Sequence, residues 1–266
     1  MQTSPGTAYG PAEPFAPTQW SVILAAGESQ AAPEVSRAAL AQLCETYWPP
    51  LYAYARAHGH SKHDAQDLTQ GFFAHLIERK IYTRIDRQKG KFRSFMLASL
   101  KNFLSNERDR EQTLKRGGGH HLIPLHENQA EAAESLFETH SSSGQSAIGE
   151  DQLFEHSWAE TLVETTLARI SAAYNAEGKE KVFNELRPFL TIGAAPLPTY
   201  AELAVRLGIA ESTLRSHVAR LRARYREVLR TEVRRTVNTE AEVDGELRQL
   251  LRILTNAQAT KRDPRA

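Results

Sequence analysis

The chain has 266 residues, 41% of them hydrophobic, and 33 basic against 32 acidic side chains, which is enough apolar material to bury one or two cores without covalent staples. Its one cysteine, Cys44, cannot pair within the chain, so a disulfide framework is excluded and a buried, inert thiol in a reducing compartment is expected. The most apolar early stretch, "WSVILAA", is too short to span a bilayer and follows no basic segment, so the expectation is a cytoplasmic protein that does not engage the membrane.

The formal net charge of +1 conceals a strong segregation. Residues 79–116 carry twelve basic and four acidic side chains, residues 120–160 carry eight acidic and no Lys or Arg, and residues 206–235 carry nine arginines against three glutamates. Two basic bodies flanking an acidic connector point to two contacts with a polyanion.

In chain order, "MQTSPGTAYGPAEPFAP" has four prolines and no periodicity and is expected to be disordered. A helix follows with Leu40, Leu43, Tyr47, Leu51 and Tyr54 at three- and four-residue steps, a kink at Pro49 and Pro50, and an end at Gly59. Ser61 offers an N-cap to "KHDAQDLTQGFFAHLIER", whose inward stripe is Leu68, Phe72 and Leu76. The next helix, "KFRSFMLASLKNFLSNERDR", supplies Phe92, Phe95, Leu100 and Phe103 to a core. It leaves Lys91, Arg93, Lys101, Asn102, Ser105, Asn106 and Arg108 for solvent or a ligand.

Three glycines, Gly117 to Gly119, end that helix, and the acidic stretch to Ser157 reads as largely extended, with "HENQAEAAESLFE" as a candidate short helix. Periodicity resumes at Trp158, with Leu162, Leu167, Ile170, Val182, Phe183, Leu186 and Leu190 as expected core. In "PTYAELAVRLGIAESTLRSHVARLRARY", Thr199 and Glu202 have capping-box spacing, Leu203 and Leu207 form an apolar face, and Gly208 permits a sharp turn anchored by Ile209. The second helix buries Leu214, Val218 and Leu221 and turns Ser212, Thr213, Arg215, Ser216, Ala219 and Arg220 outward. That is helix-turn-helix spacing: small and polar residues near the helix start to approach base edges, then arginines to clasp phosphates. The tail places Val243, Leu247, Leu250, Leu251 and Leu254 at helical spacing, a stripe expected to pack on the second basic body or to recruit a regulator.

Taken in order, "HDAQDLTQGFFAHLIER", "GKFRSFMLASLKNFLSNERDR" and "YAELAVRLGIAESTLRSHVARLRARYR" resemble the motifs of bacterial RNA polymerase sigma factors, most closely the extracytoplasmic-function type. The resemblance covers residues 18 to about 116 and 158 to about 235. It implies an all-α chain of two helical domains, a sigma domain 2-like bundle and a sigma domain 4-like helix-turn-helix, joined by a long acidic linker. The corresponding divisions are a leader at 1–17, the first domain at 18–116, the linker at 117–157, the second domain at 158–236 and a tail at 237–266.

By the same resemblance the protein binds core RNA polymerase and promoter DNA, with an anti-sigma factor or other regulator as a further partner. Asp64, Gln66, Asp67, Gln70 and Glu78 would face the polymerase. Asn102 and Asn106 would read an unstacked base at the −10 element, with Ser105 beside them and Lys91, Arg93, Lys101 and Arg108 on the strand's phosphates. Glu211, Ser212, Thr213, Arg215, Ser216, His217, Arg220 and Arg224 would face the −35 element. Two departures stand out: Ala210 occupies a position where the family often has a capping Ser or Thr, leaving Glu211 or Ser212 to cap, and His217 replaces a commonly basic residue. The acidic linker, with Glu127, Glu131, Glu134 and Glu138, is expected to lie in the polymerase's basic RNA path as a nucleic-acid mimic.

Catalysis has poor candidates. His58, His60 and His63 span a helix end with no second cluster at metal-ligand spacing, and "GGGHHL" lacks the Lys-Ser or Lys-Thr pair of a phosphate loop. No enzymatic activity, cofactor or metal is expected. The alternatives are a stand-alone helix-turn-helix regulator and a metal-dependent nuclease.

Overall fold

The computed structural model describes residues 33–81, 91–113, 130–131, 133–135, 137–138, 149–190, 197–237 and 239–262. The expected leader, the three glycines and Glu127 lie outside the described residues. Among the described residues the secondary structure is all helical: α1 (Pro33–Ala57), α2 (Lys62–Glu78), α3 (Phe92–Thr113), α4 (Glu150–Ala176), α5 (Glu180–Leu186) with a 3-10 turn (Arg187–Leu190), α6 (Tyr200–Leu207), α7 (Glu211–Arg235) and α8 (Glu240–Arg262). None of these helices is long and apolar enough to cross a membrane.

α1 runs on through Pro49 and Pro50, where a kink is predicted. Proline inside a helix removes an amide donor and costs about 3 kcal/mol. Here Tyr47, Trp48, Leu51, Tyr52 and Ala55, flanking the two prolines in sequence, are fully buried, and each large apolar side chain removed from water returns on the order of 2 kcal/mol. Gly59 then stops the helix with a φ of 95°, and Ser61 caps α2 by accepting the Asp64 N–H at 3.1 Å, as its position predicts. Cys44 is half-buried, and burial, with Glu45 nearby, pushes its thiol up to about 12.

Two apolar clusters organise the chain. The first joins α1, α2 and α3 (Trp48, Phe72, Phe73, Leu100) to Phe154, Trp158 and Leu162 of α4, Leu229 and Val233 of α7, and Val243, Leu250 and Ile253 of α8. The second gathers Ile170, Tyr174, Phe183, Leu186, Phe189, Leu203, Leu214, Val218 and Leu221. The start of α4 and the end of α7 share the first cluster, and their other ends share the second, so the two long helices lie antiparallel, with Tyr225 packed against both clusters. Arg169 Nε sits 2.9 Å from buried Glu232 Oε1 and ties this pair of helices together.

These clusters cut across the boundaries read from the sequence. Residues 150–157, expected to be extended connector, form the first two turns of α4, because Leu153 and Phe154 are buried and continue the apolar stripe upstream of Trp158. Part of the candidate short helix is helical: residues 130, 131, 133–135, 137 and 138 are so assigned, and Ala133 is fully buried against the first cluster. The tail packs as a helix, but its buried face joins the first cluster rather than the helix-turn-helix core, and Leu251, predicted on that stripe, is exposed.

Candidate nucleic-acid interface

The α6–α7 unit is built from local rules. Thr199 accepts the Glu202 N–H at 3.2 Å and Glu202 accepts the Thr199 N–H at 2.8 Å, completing the predicted capping box and holding the Glu202 carboxyl below its ordinary range. Gly208 turns the chain at φ 66°, in the left-handed region that glycine enters without strain. α7 starts at Glu211 with Ala210 at the N-cap, and no side chain caps it, so neither Glu211 nor Ser212 takes the expected role. Both are already helical, where the side chain no longer reaches the N-terminal amides of the first turn.

Leu203, Leu214, Val218 and Leu221 are buried, while Glu211, Ser212, Thr213, Arg215, Ser216, Ala219 and Arg220 are exposed. The exposed residues therefore share one outer face of α7. The arginines differ in how they are held. Arg215 donates to Glu211 at 2.5 Å and lies 4.7 Å over the Tyr200 ring, and Arg220 Nε reaches the Ser216 carbonyl at 3.3 Å. Arg222 points back to the Phe189 carbonyl at 3.4 Å, and Arg224 pairs with Glu177 at 3.1 Å over Tyr174. Arg224 is thus held against the loop after α4 rather than standing on the open face with Arg215 and Arg220. His217 is half-buried, and burial together with Arg220 and Lys179 pushes its pKa down, favouring the neutral imidazole.

On α2, Asp64, Asp67 and Glu78 are exposed and Gln66 and Gln70 half-buried. The Ser61 hydroxyl donates to Asp64 at 2.6 Å and keeps that carboxyl ionised below its usual range, while His63 lies 3.0 Å from Asp67. On α3, Asn102, Ser105 and Asn106 are exposed as predicted.

The cations of α3 are arranged otherwise than the sequence suggests. Arg93, expected on the ligand face, is 4% exposed. It lies 4.3 Å over the Trp158 ring, donates to Glu155 at 3.0 Å and meets Glu246 of α8, itself 2% exposed. Its neighbour Phe92 is drawn into the core, and a guanidinium following it into the α3–α4–α8 junction needs two carboxylates and an aromatic face to replace water. Burial pushes the Glu155 carboxyl up, against the pull of Arg93. Lys91 pairs with Glu246 at 2.6 Å, Lys101 with Asp151 at 2.6 Å, and Arg108 meets His58 at 3.2 Å, whose other ring nitrogen lies 2.9 Å from Glu150.

The sequence reading missed this junction and a second one, in which Glu134 meets Tyr52 and Arg56. One signal was present: Glu246 falls three residues after Val243 and four before Leu250, inside the apolar stripe of the tail. A charge on such a stripe implies a buried partner. Among the described residues no group of three or more His, Cys, Asp or Glu could hold a metal ion. No protein-family model, curated protein or solved structure matches the chain.

Proposed function

We propose that this chain is a sigma factor of the extracytoplasmic-function type, which binds core RNA polymerase and directs initiation at promoters carrying −10 and −35 elements. The observation that carries the reading is the α6–turn–α7 unit. A capping box, a left-handed glycine and a three-residue buried stripe present Ser212, Thr213, Arg215, Ser216 and Arg220 together on one exposed face. Small side chains at the start of a helix allow close approach to a major groove, and arginine supplies bidentate contacts to guanine or phosphate. The exposed amides of Asn102 and Asn106 on α3 supply donor and acceptor together for a displaced base. The exposed polar face of α2, with Asp64, Asp67 and Glu78, suits a basic partner surface on the polymerase. Synthesis chemistry belongs to that partner, and the chain needs no cofactor of its own in this role.

The test is transcription by purified core polymerase on a genomic fragment library with and without the protein. Initiation at defined new start sites, and co-elution with core enzyme, are the expected results. Duplex binding without any association with polymerase would replace this reading with a stand-alone regulator.

A further inference from the structure

The acidic residues that open α4 lie on cations of α3. Asp151 reaches Lys101 Nζ with both carboxylate oxygens, at 2.6 and 2.8 Å. Glu150 holds His58, which in turn meets Arg108. Two of the four cations assigned to phosphates are therefore engaged by carboxylates of the first turn of α4, directly or through one imidazole. The neighbouring Asn102, Ser105 and Asn106 are exposed.

The remaining two cations are held by a different kind of contact. Arg93 and Glu246 are both nearly inaccessible and belong to the core junction, with Lys91 on the same carboxylate. Glu150 and Asp151 are 39% and 61% exposed, and exposed ion pairs are weak and readily exchanged. Gly149 at the N-cap supplies no side-chain hydrogen bond, Glu150 and Asp151 stand at the positive end of α4, which favours their charge, and buried Leu153 and Phe154 anchor the turn behind them.

We infer that the first turn of α4 masks the strand-binding face of α3: Asp151 stands in for a nucleic-acid phosphate on Lys101, Glu150 holds Arg108 through the His58 ring, and a single strand must displace both carboxylates to bind. This rests on the proposed function, in which α3 meets the displaced strand, with Lys101 and Arg108 on its phosphates as the family resemblance implies. The mask lowers affinity for any strand in the free protein. Binding then exchanges one set of anions for another while the Arg93–Glu246 junction stays closed.

The test compares the full-length protein with Glu150→Gln/Asp151→Asn, titrated with a labelled oligothymidylate of about 20 nucleotides at about 50 mM salt. A second variant, Glu45→Gln/Glu180→Gln, removes the same formal charge from exposed sites on α1 and α5. The mask predicts roughly three- to tenfold tighter binding by the first variant. Its log affinity should also fall more steeply with log salt, by about 1.4 if two more phosphates are neutralised. The control should stay within about twofold of wild type. Adding Lys101→Ala to the unmasked variant should return affinity toward wild type. Equal tightening by the control, unchanged affinity of the unmasked variant, or no binding by either would overturn the inference. Promoter-directed initiation by the wild type would survive each of those results, and failure to associate with polymerase would leave the oligonucleotide result standing, so the two readings fail separately.

Discussion

Arg56 and Glu134 face each other as a fork: Nε lies 3.0 Å from Oε2 and Nη2 lies 3.0 Å from Oε1, with the Phe137 ring 4.7 Å beneath the guanidinium. The pair fastens the acidic segment around residue 134 to α1, and the Tyr52 hydroxyl donates to the same carboxylate. Burial alone pushes the Glu134 carboxyl up, but the hydrogen bonds from Tyr52 and Arg56 together hold it below its ordinary range. A carboxylate with a lowered folded pKa stabilises the fold above its unfolded value near about 4.3, and that contribution is lost as pH falls through the folded value.

Glu134→Gln should therefore cost about 1.5–3 kcal/mol at neutral pH, the range for hydrogen bonds to a charged group. Arg56 keeps partial solvent access, which favours the lower half of that range. The difference from wild type in urea midpoint should narrow as pH is lowered below about 4, where the wild-type carboxyl also becomes neutral. A gap of constant size across that titration would remove the charged fork from the account.

The Arg93 junction makes a separate prediction. Arg93→Met leaves the carboxylates of Glu155 and Glu246 without their guanidinium in a nearly dry site, and removing one partner of a buried pair costs about 3–5 kcal/mol. Arg93→Met/Glu246→Met removes both nearly inaccessible charges together, leaving the more exposed Glu155 and Lys91 to solvent, so the double variant should be more stable than the sum of the singles by on the order of 2 kcal/mol. Denaturation of all three variants at one pH measures this coupling, and strict additivity would mean that the two groups do not depend on one another.

Much of the local architecture was legible because it follows from short-range rules. Ser61 as a cap, the Thr199–Glu202 box, the Gly208 turn and the buried face of α7 each need only a few neighbouring residues to be specified. What escaped was the long-range pairing of charges. Arg93 and Glu246 are 153 positions apart and Tyr52 and Glu134 are 82 apart, and no period in the sequence joins them. The charge pattern reads residues 120–160 as an acidic, largely extended connector, yet the structure uses Glu134, Asp151 and Glu155 as specific partners of cations on α1 and α3 and Glu150 as the partner of His58. The arginines of α7 show the same limit. Composition groups them, but packing sends Arg222 and Arg224 to the Phe189 carbonyl and Glu177, leaving Arg215 and Arg220 on the open face.

Arg215 and Arg220 also differ from each other. Arg215 is already stacked on Tyr200 and paired with Glu211, so binding a phosphate must first compete with those contacts. Arg220 Nε donates instead to the Ser216 carbonyl of its own helix, at 3.3 Å. Arg220→Ala should therefore weaken duplex binding by roughly tenfold and make the salt slope shallower by about 0.9, the change expected for one lost phosphate contact. Arg215→Ala should have the smaller effect. Fluorescence anisotropy with a promoter duplex over a salt series gives both quantities, and the reverse order would place the phosphate contact at Arg215.

The start of α7 offers the last test. Ala210 has extended backbone, φ −66° and ψ 145°, and its carbonyl accepts the Leu214 N–H at 3.0 Å, which is the geometry of a working N-cap without a capping atom. Ala210→Ser puts a hydroxyl where it can accept an amide of the first turn, without altering the turn made by Gly208 or the outward face of Ser212, Thr213 and Ser216. The variant should gain about 0.5–1.5 kcal/mol in stability and protect the first-turn amides from hydrogen exchange. If instead it lost stability, Ala210 would have to be a site of tight packing rather than an uncapped helix start, although the residue is exposed. Because α7 carries the proposed recognition face on that same first turn, a stiffer start should also lower the ordering cost of binding, so duplex affinity is expected to hold or rise modestly.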